Sequence, residues 1–190
     1  MYRFKSIKYL ATTGLITAVL IIIANISFWL FNWIVISFFG GTVTFQLFDA
    51  FFIAFCALFP GPMMLFAGPI AGVIFDLISS VKIIVIPITI LIRVLMFFMI
   101  KLLTVKNWWW SSVYSFFLAS LILLFGYPLS YLIIYHNQAI VINELITDTI
   151  QASCAYLFAL LIYYLLFKRQ TNNALWNDYQ FSPLKNKKIA

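Results

Sequence analysis

The stretch FFGGTVTFQLFDAFFIAFCALFPGP, Phe38 to Pro62, decides how the rest of the chain is read. It opens on paired glycines, carries Gln46 and Asp49 into an apolar run, and stops at Pro60-Gly61-Pro62. A segment built only for solubility in lipid would place leucine where the acid and the glycines stand. Paired glycines suit a loop that needs unusual dihedral angles or close backbone approach. Asp49 then starts a short helix, and Pro-Gly-Pro ends it and turns the chain back.

Composition sets the environment. Over 190 residues, 65% are hydrophobic and 9% are charged, against about 25% charged in soluble domains. So few charges cannot coat a water-soluble globule, and the chain reads as an integral membrane protein. The basic start MYRFKSIK precedes an apolar stretch longer than a signal h-region, with no small-residue cleavage site after it. It is expected to be a cytoplasmic tail leading into the first span. Cys56 and Cys154 both lie inside apolar runs without metal spacing, so both are expected to be buried thiols.

Six apolar runs follow one another: Tyr9 to Leu30, Phe45 to Phe59, Met63 to Ser79, Ile83 to Leu103, Ser111 to Tyr135 and Asp148 to Phe167. A helical span needs about 20 residues, so the second run is short enough to be tilted or re-entrant. The expected fold is all-α, a bundle of six transmembrane helices over residues 1–170, with a flexible basic cytoplasmic tail over 171–190. Six spans place both termini on one side. With that side inside, the inner cations are Arg3, Lys5, Lys8, Lys101, Lys106, Lys168, Arg169, Lys185, Lys187 and Lys188, and the outer connections hold only Lys82. This is the bias of the positive-inside rule, with both ends cytoplasmic. The net charge of +7 is accounted for by these flanks and their attraction to anionic lipid, and nucleic acid is not an expected partner. Trp108 to Trp110, after Lys106, read as an interfacial anchor, with a docking surface for a partner as the alternative.

Polar groups inside a bilayer are costly and face the bundle interior or a water-filled cavity. In this topology Gln46, Asp49, Asp76, Lys82, Asn143, Glu144, Asp148 and Gln151 converge near the outer face, the last four from an outer loop and the start of helix six. Arg93 lies one-third to halfway down helix four. The functional reading is an outward-opening polar pocket roofed by Gly40 to Gln46. The alternative is that Asp49 caps its helix, Asp76 and Lys82 are interfacial, and Arg93 pairs with either acid. Trp29, Trp33 and Phe45 near the outer end can stack on a planar ring.

No H-E-x-x-H, G-x-S-x-G or Walker A motif is present, and the single His136 cannot supply a multi-histidine metal site. ATP-driven work would need an ATPase on another chain. On helix one, Ala11, Gly14 and Ala18 fall at i, i+3 and i+7 on roughly one stripe, either for close packing within the bundle or for docking a second membrane subunit. The run AGPIAGVIFD, Ala67 to Asp76, makes helix three similarly slim.

In order and spacing, three segments resemble the substrate-binding S-components of energy-coupling factor (ECF) vitamin importers. They are the Gly-Thr loop with F-x-L-x-D-A at Gly41–Ala50, ALFPGPMMLFAGPIAGVIFDL at Ala57–Leu77, and VIPITILIRVLMFFMIKLL at Val85–Leu103. The match covers about the first 100 residues, and the remainder only by topology. The resemblance implies a six-helix binding subunit with cytoplasmic termini, a vitamin-sized pocket near the outer surface, and a lid formed by the loop between helices one and two. It also implies docking to a transmembrane coupling subunit that carries two ATPases, through small residues of helix one. Carried over, those are Ala11, Gly14 and Ala18, where Ala11-x-x-Gly14-x-x-x-Ala18 departs from the family's Ala-x-x-x-Ala. Arg93 stands where the family has a helix-four lysine.

The expected function is therefore capture of a vitamin or precursor from outside and its delivery inward, without enzyme activity, metal or cofactor, in a bacterial plasma membrane. Expected substrate-binding residues are Trp33, Gly41, Thr42, Gln46, Asp49, Asp76, Arg93, Asn143 and Gln151. Thiamine-related, pyridoxine-like, flavin and pterin cargoes all fit, and Arg93 mildly favours a ligand with a carboxylate or phosphate. The rival readings are a polytopic enzyme acting on lipid or prenyl substrates, a stand-alone secondary transporter, and a purely structural membrane subunit.

Overall fold

A computed structural model of the chain describes residues 7–31, 36–38, 41–43, 46–59, 61–78, 83–104, 109–136 and 138–170. The fold is an all-α bundle of six helices: α1 Ile7–Phe31, α2 Phe48–Leu58, α3 Met63–Ile78, α4 Ile86–Leu103, α5 Trp109–Tyr135 and α6 Gln138–Gln170. The tail at 171–190 lies outside the described residues. Within α1, α4, α5 and α6 the stretches Tyr9–Leu30, Ile86–Leu103, Trp110–Ile134 and Val141–Leu166 are long and apolar enough to cross a membrane. The chain is a membrane protein on that ground.

The second run is the exception in length, as its sequence predicts. The 11 residues of α2 reach only about 16 Å at 1.5 Å per residue, well short of a hydrocarbon core of about 30 Å. It needs no lipid contact, because it sits inside the bundle. Around it α1 packs on α3, α3 on α4, α4 on α5 and α5 on α6, and α2 touches all five of them, α6 most extensively. Phe48, Ala50, Phe52, Ile53, Ala54 and Cys56 of α2 are fully buried.

The long helices show the reverse pattern. On α1 a stripe of Tyr9, Ile16, Leu20, Ala24 and Ser27 is buried, at the period of a helix face. Leu15, Val19, Ile22 and Ile26 point away from the bundle, where acyl chains replace a protein neighbour. Edge-to-face ring pairs connect neighbours, Phe28 on Phe75 between α1 and α3 and Phe116 on Tyr163 between α5 and α6.

Turn chemistry explains the breaks. Phe59 is extended before Pro60 (φ −82°, ψ 133°), as a residue preceding proline must be. Gly61 then takes φ 69°, the left-handed region that glycine enters without strain. Lys101 Nζ donates to the Phe59 carbonyl at 2.6 Å, fixing the end of α2 beside the end of α4. The two helices therefore run parallel. A 3₁₀ turn, Ile83–Val85, leads into α4 with proline in its first turn, where the missing N–H has no helical partner to lose.

Two expectations about the connections are corrected. The segment between α1 and α2 is not wholly irregular, since β1 Ile36–Phe38 and β2 Gly41–Val43 form an antiparallel hairpin in the register Ile36↔Val43, Ser37↔Thr42, Phe38↔Gly41. Its β-branched positions favour a strand. The sixth helix begins at Gln138, ten residues before the expected Asp148, so Asn143 and Glu144 are helical and not in a loop. Asn143, Glu144 and Thr147 interrupt the apolar run there, while the backbone ladder continues and Thr147 Oγ1 bonds back to the Asn143 carbonyl at 2.9 Å. The reversal between α5 and α6 is short, with His136 at φ 49°.

Close packing of α2 makes a stability prediction. A Cβ on Gly68 of α3 would fall within van der Waals radius of the fully buried Phe52 ring. Gly68→Ala is expected to cost about 1–3 kcal/mol by over-packing. Gly14→Ala, with no atom within 4 Å of its Cβ, is expected not to lower the thermal unfolding midpoint in detergent, since alanine is the better helix former.

Candidate functional site

One end of the bundle gathers the start of α2, the end of α3, the starts of α4 and α6, and the end of α5. Asp49, in the first turn of α2, is fully buried. It does not cap its helix: both carboxylate oxygens are engaged by other helices. Arg93 Nη1 of α4 forms an ion pair with Oδ1. Gln151 Nε2 of α6 donates to Oδ2 at 2.6 Å. One carboxylate thus joins three helices.

Arg93 is 3% exposed and lies about 10 Å along α4 from its start. Its guanidinium carbon stands 4.2 Å from the Phe48 ring centroid and 5.7 Å from that of Phe52, so ring faces add to the compensation of its charge. The two rings stack at 6.3 Å. On the opposite side the guanidinium passes α3 at Gly72, where a Cβ would sit 2.6 Å from Nε. The small-residue run of α3 is what admits an arginine here.

Further polar groups extend the cluster. Asp76, one turn beyond Gly72, is hydrogen-bonded by the Thr89 side chain and lies within electrostatic reach of Arg93 and Asp49. Tyr127 of α5 directs its hydroxyl to Thr89 Oγ1 at 3.4 Å. On α6, Glu144, Asp148 and Gln151 recur at i, i+4 and i+7 on one face. Tyr131 hydrogen-bonds Glu144, and Asp148 is within reach of Glu144 and Asp49. Of the five acids in the chain, all but Asp178 belong to this cluster.

The structure thus brings together Asp49, Asp76, Arg93 and Gln151 of the expected binding residues. Gln46 is partly buried just before α2. Gly41 and Thr42 lie in β2. Asn143 is partly buried, one residue off the Glu144–Asp148–Gln151 face, and its described hydrogen bond is through its backbone carbonyl. Trp33 is outside the described residues, as are Gly40 and Phe45. Sequence reasoning passed over Phe48, Gly72, Thr89, Tyr127 and the role of Asp148. The helical spacing of Glu144, Asp148 and Gln151 was the available signal, and a helix start placed at Asp148 hid it.

At the other proposed site, Ala11, Gly14 and Ala18 are all exposed, and Gly14 has open space beside it. The stripe faces away from the bundle, so packing within the bundle is not its role. Among the described residues no group of three or more His, Cys, Asp or Glu side chains is placed to hold a metal ion. No protein-family model matches the chain, and no curated protein matches its sequence.

The ion pair has a direct energetic test. Asp49→Ala leaves Arg93 buried and uncompensated, and should destabilise the bundle by about 3–5 kcal/mol. The double change Asp49→Leu with Arg93→Met should recover most of that loss, because removing both charges also removes their desolvation. Denaturant unfolding of both variants in detergent micelles reads the difference.

Proposed function

We propose that the protein is the membrane-embedded substrate-binding subunit of an ECF-type importer, which captures a vitamin-like molecule and hands it inward. The observation that carries this reading is a buried polar cluster at one end of an otherwise apolar bundle, built around a helix too short to span. Such a helix does not help to anchor the chain in lipid. It places Asp49 and its aromatic neighbours where five helices converge, and that is how a bundle makes a recognition site.

Orientation follows from charge. Lys101 lies at the end of α4 away from the cluster, and Lys8, Lys106, Lys168 and Arg169 flank the corresponding ends of α1, α5 and α6. The positive-inside rule puts that end in the cytoplasm of a bacterial cell, with both termini, and the cluster toward the outside. The hairpin of β1 and β2, which precedes α2 in the chain, is then the outer cover. The outward-facing stripe Ala11, Gly14 and Ala18 is the surface on which a coupling subunit with two ATPases docks, since small residues let two helices approach closely. The ATPases supply the energy, and this chain supplies selection.

The reading is tested by purifying the full chain from its native membranes under mild conditions. A membrane coupling subunit, ATPases and a small molecule released on denaturation are expected to come with it. A chain that arrives alone and empty would overturn the proposal. Gly14→Leu should weaken association with the coupling subunit about tenfold or more, roughly 1.4 kcal/mol. Its unfolding midpoint and retained small molecule should not change. A loss of both would make Gly14 structural.

A further inference from the structure

The outer part of the helical pair α5 and α6 is packed differently from its base. Among the described residues, the buried apolar core takes Phe116, Ala119 and Leu123 from α5 and Ala152, Ala155, Ala159 and Tyr163 from α6. Beyond Leu123 on one helix and before Ala152 on the other, the buried residues are Pro128, Asp148 and Gln151. The described cross-bonds to other helices stand at the base of this outer part, from Tyr127 to Thr89 and from Gln151 to Asp49. A region with little buried apolar contact opens at lower free energy than the core below it.

Both helices are weakened at nearly the same depth. Pro128 stands inside α5, so it has no N–H to give the Leu124 carbonyl, and its ring pushes that turn apart. Two residues on, Ser130 Oγ bonds to the Gly126 carbonyl at 2.6 Å, a local competitor of the helical ladder. On α6, the hydroxyls of Thr147, Thr149 and Ser153 bond back to the carbonyls of Asn143, Leu145 and Thr149 at 2.9, 2.6 and 2.7 Å. Such bonds bend helices. Counted from His136 in the reversal, Pro128 lies about 12 Å along α5 and Thr147 about 16 Å along α6, within one turn of each other. Just before the proline, a Cβ on Gly126 would fall 2.9 Å from the Ile92 side chain of α4. That close contact fixes α5 against α4 immediately below the break and supplies a fulcrum.

We propose that the outer arms of α5 and α6, residues 128–135 and 138–147, swing together about Pro128 and Thr147 and so open the polar cluster to the outer solution. The hydrogen bond between Tyr131 and Glu144 joins the arms and travels with them, while Tyr127, Asp148 and Gln151 remain at the root. The motion uncovers Asp148, whose Oδ2 is buried without a hydrogen-bond partner among the described residues. As the entrance for a captured molecule the motion rests on the importer reading. As a property of the chain it is tested without one.

The test measures distances between nitroxide labels by pulsed electron resonance on the full-length protein in lipid nanodiscs, in a Cys56→Ala, Cys154→Ala background. Gln138→Cys at the tip of the arms is paired in turn with Leu91→Cys on α4 and Ile26→Cys on α1. Leu102→Cys with Tyr114→Cys reports the inner end, all five positions being exposed. A change of about 20° at the hinge, the size of a proline kink, moves Gln138 by about 5 Å. Two populations about 3–5 Å apart are expected in at least one outer distance, and a single population at the inner end. Pro128→Ala restores the missing N–H and should merge the outer populations into one. If that variant fails to fold, Thr147→Val with Thr149→Val, which removes two of the back-bonds, should reduce the minor population. A single population in both outer distances would overturn the inference and leave the importer reading to the purification test. Two populations unchanged in folded Pro128→Ala would overturn the hinge. Mobile arms on a chain that purifies alone and empty would support the motion and overturn the importer reading alone.

Discussion

The pairing of Asp49 with Arg93 constrains the rest of the bundle. Two charges buried in a protein whose outer surface faces acyl chains are tolerable only with close geometry and further hydrogen bonds. Gln151 supplies one such bond and the Phe48 ring another contact. For these groups to meet, α2 must begin about two turns into α4 and nearly four turns into α6. It must also lie inside the ring of long helices. Its shortness, the Pro-Gly-Pro that ends it and the Lys101 bond that fixes its far end all serve that placement. Gly68 and Gly72 answer the same constraint from α3, one clearing the Phe52 ring and the other clearing Arg93 Nε.

Around the Asp49–Arg93 pair the cluster is built of acids, a hydroxyl and a phenol. Asp76, Thr89 and Tyr127 form one hydrogen-bonded arm, and Glu144 and Asp148 form another on α6. Among the described residues, Arg93 Nε of the central pair and Asp148 Oδ2 of the second arm are buried without a hydrogen-bond partner. A binding role accounts for both, because a site that waits for a ligand must leave some group unsatisfied until the ligand arrives. A purely structural ion pair would account for Asp49, Arg93 and Gln151 but not for the concentration of nearly all the chain's acids at one end.

Much of this was legible in the sequence, for physical reasons that differ by residue. Apolar runs located all six helices because span length and lipid solubility leave few alternatives. Asp49, Asp76, Arg93 and Gln151 were legible as a set because topology puts them at one depth and an apolar bundle makes each conspicuous. Their partners were not: which acid Arg93 meets depends on helix rotation, and a chain with so many apolar positions has no strong stripe to fix rotation. The start of α6 was hidden because Asn143, Glu144 and Thr147 interrupt the apolar run Ala139–Ile146 and read as a loop, although nothing prevents such residues from being helical. The hairpin was hidden by its paired glycines, which mark a turn without showing that short strands flank it. The outward stripe of α1 could be listed from spacing but not oriented, because Leu15 and Leu20 look alike in sequence and face opposite ways.

The account stands on the polar end of the bundle facing outward. In a Cys56→Ala, Cys154→Ala background, a membrane-impermeant maleimide applied to intact cells distinguishes the two ends. Gln138→Cys, exposed at the start of α6, reports the cluster end, and Ile7→Cys, exposed at the start of α1, reports the other. The account predicts labelling of Gln138→Cys from outside, and labelling of Ile7→Cys only after permeabilisation. Labelling of Ile7→Cys in intact cells with Gln138→Cys silent would place the cluster in the cytoplasm and contradict capture from outside.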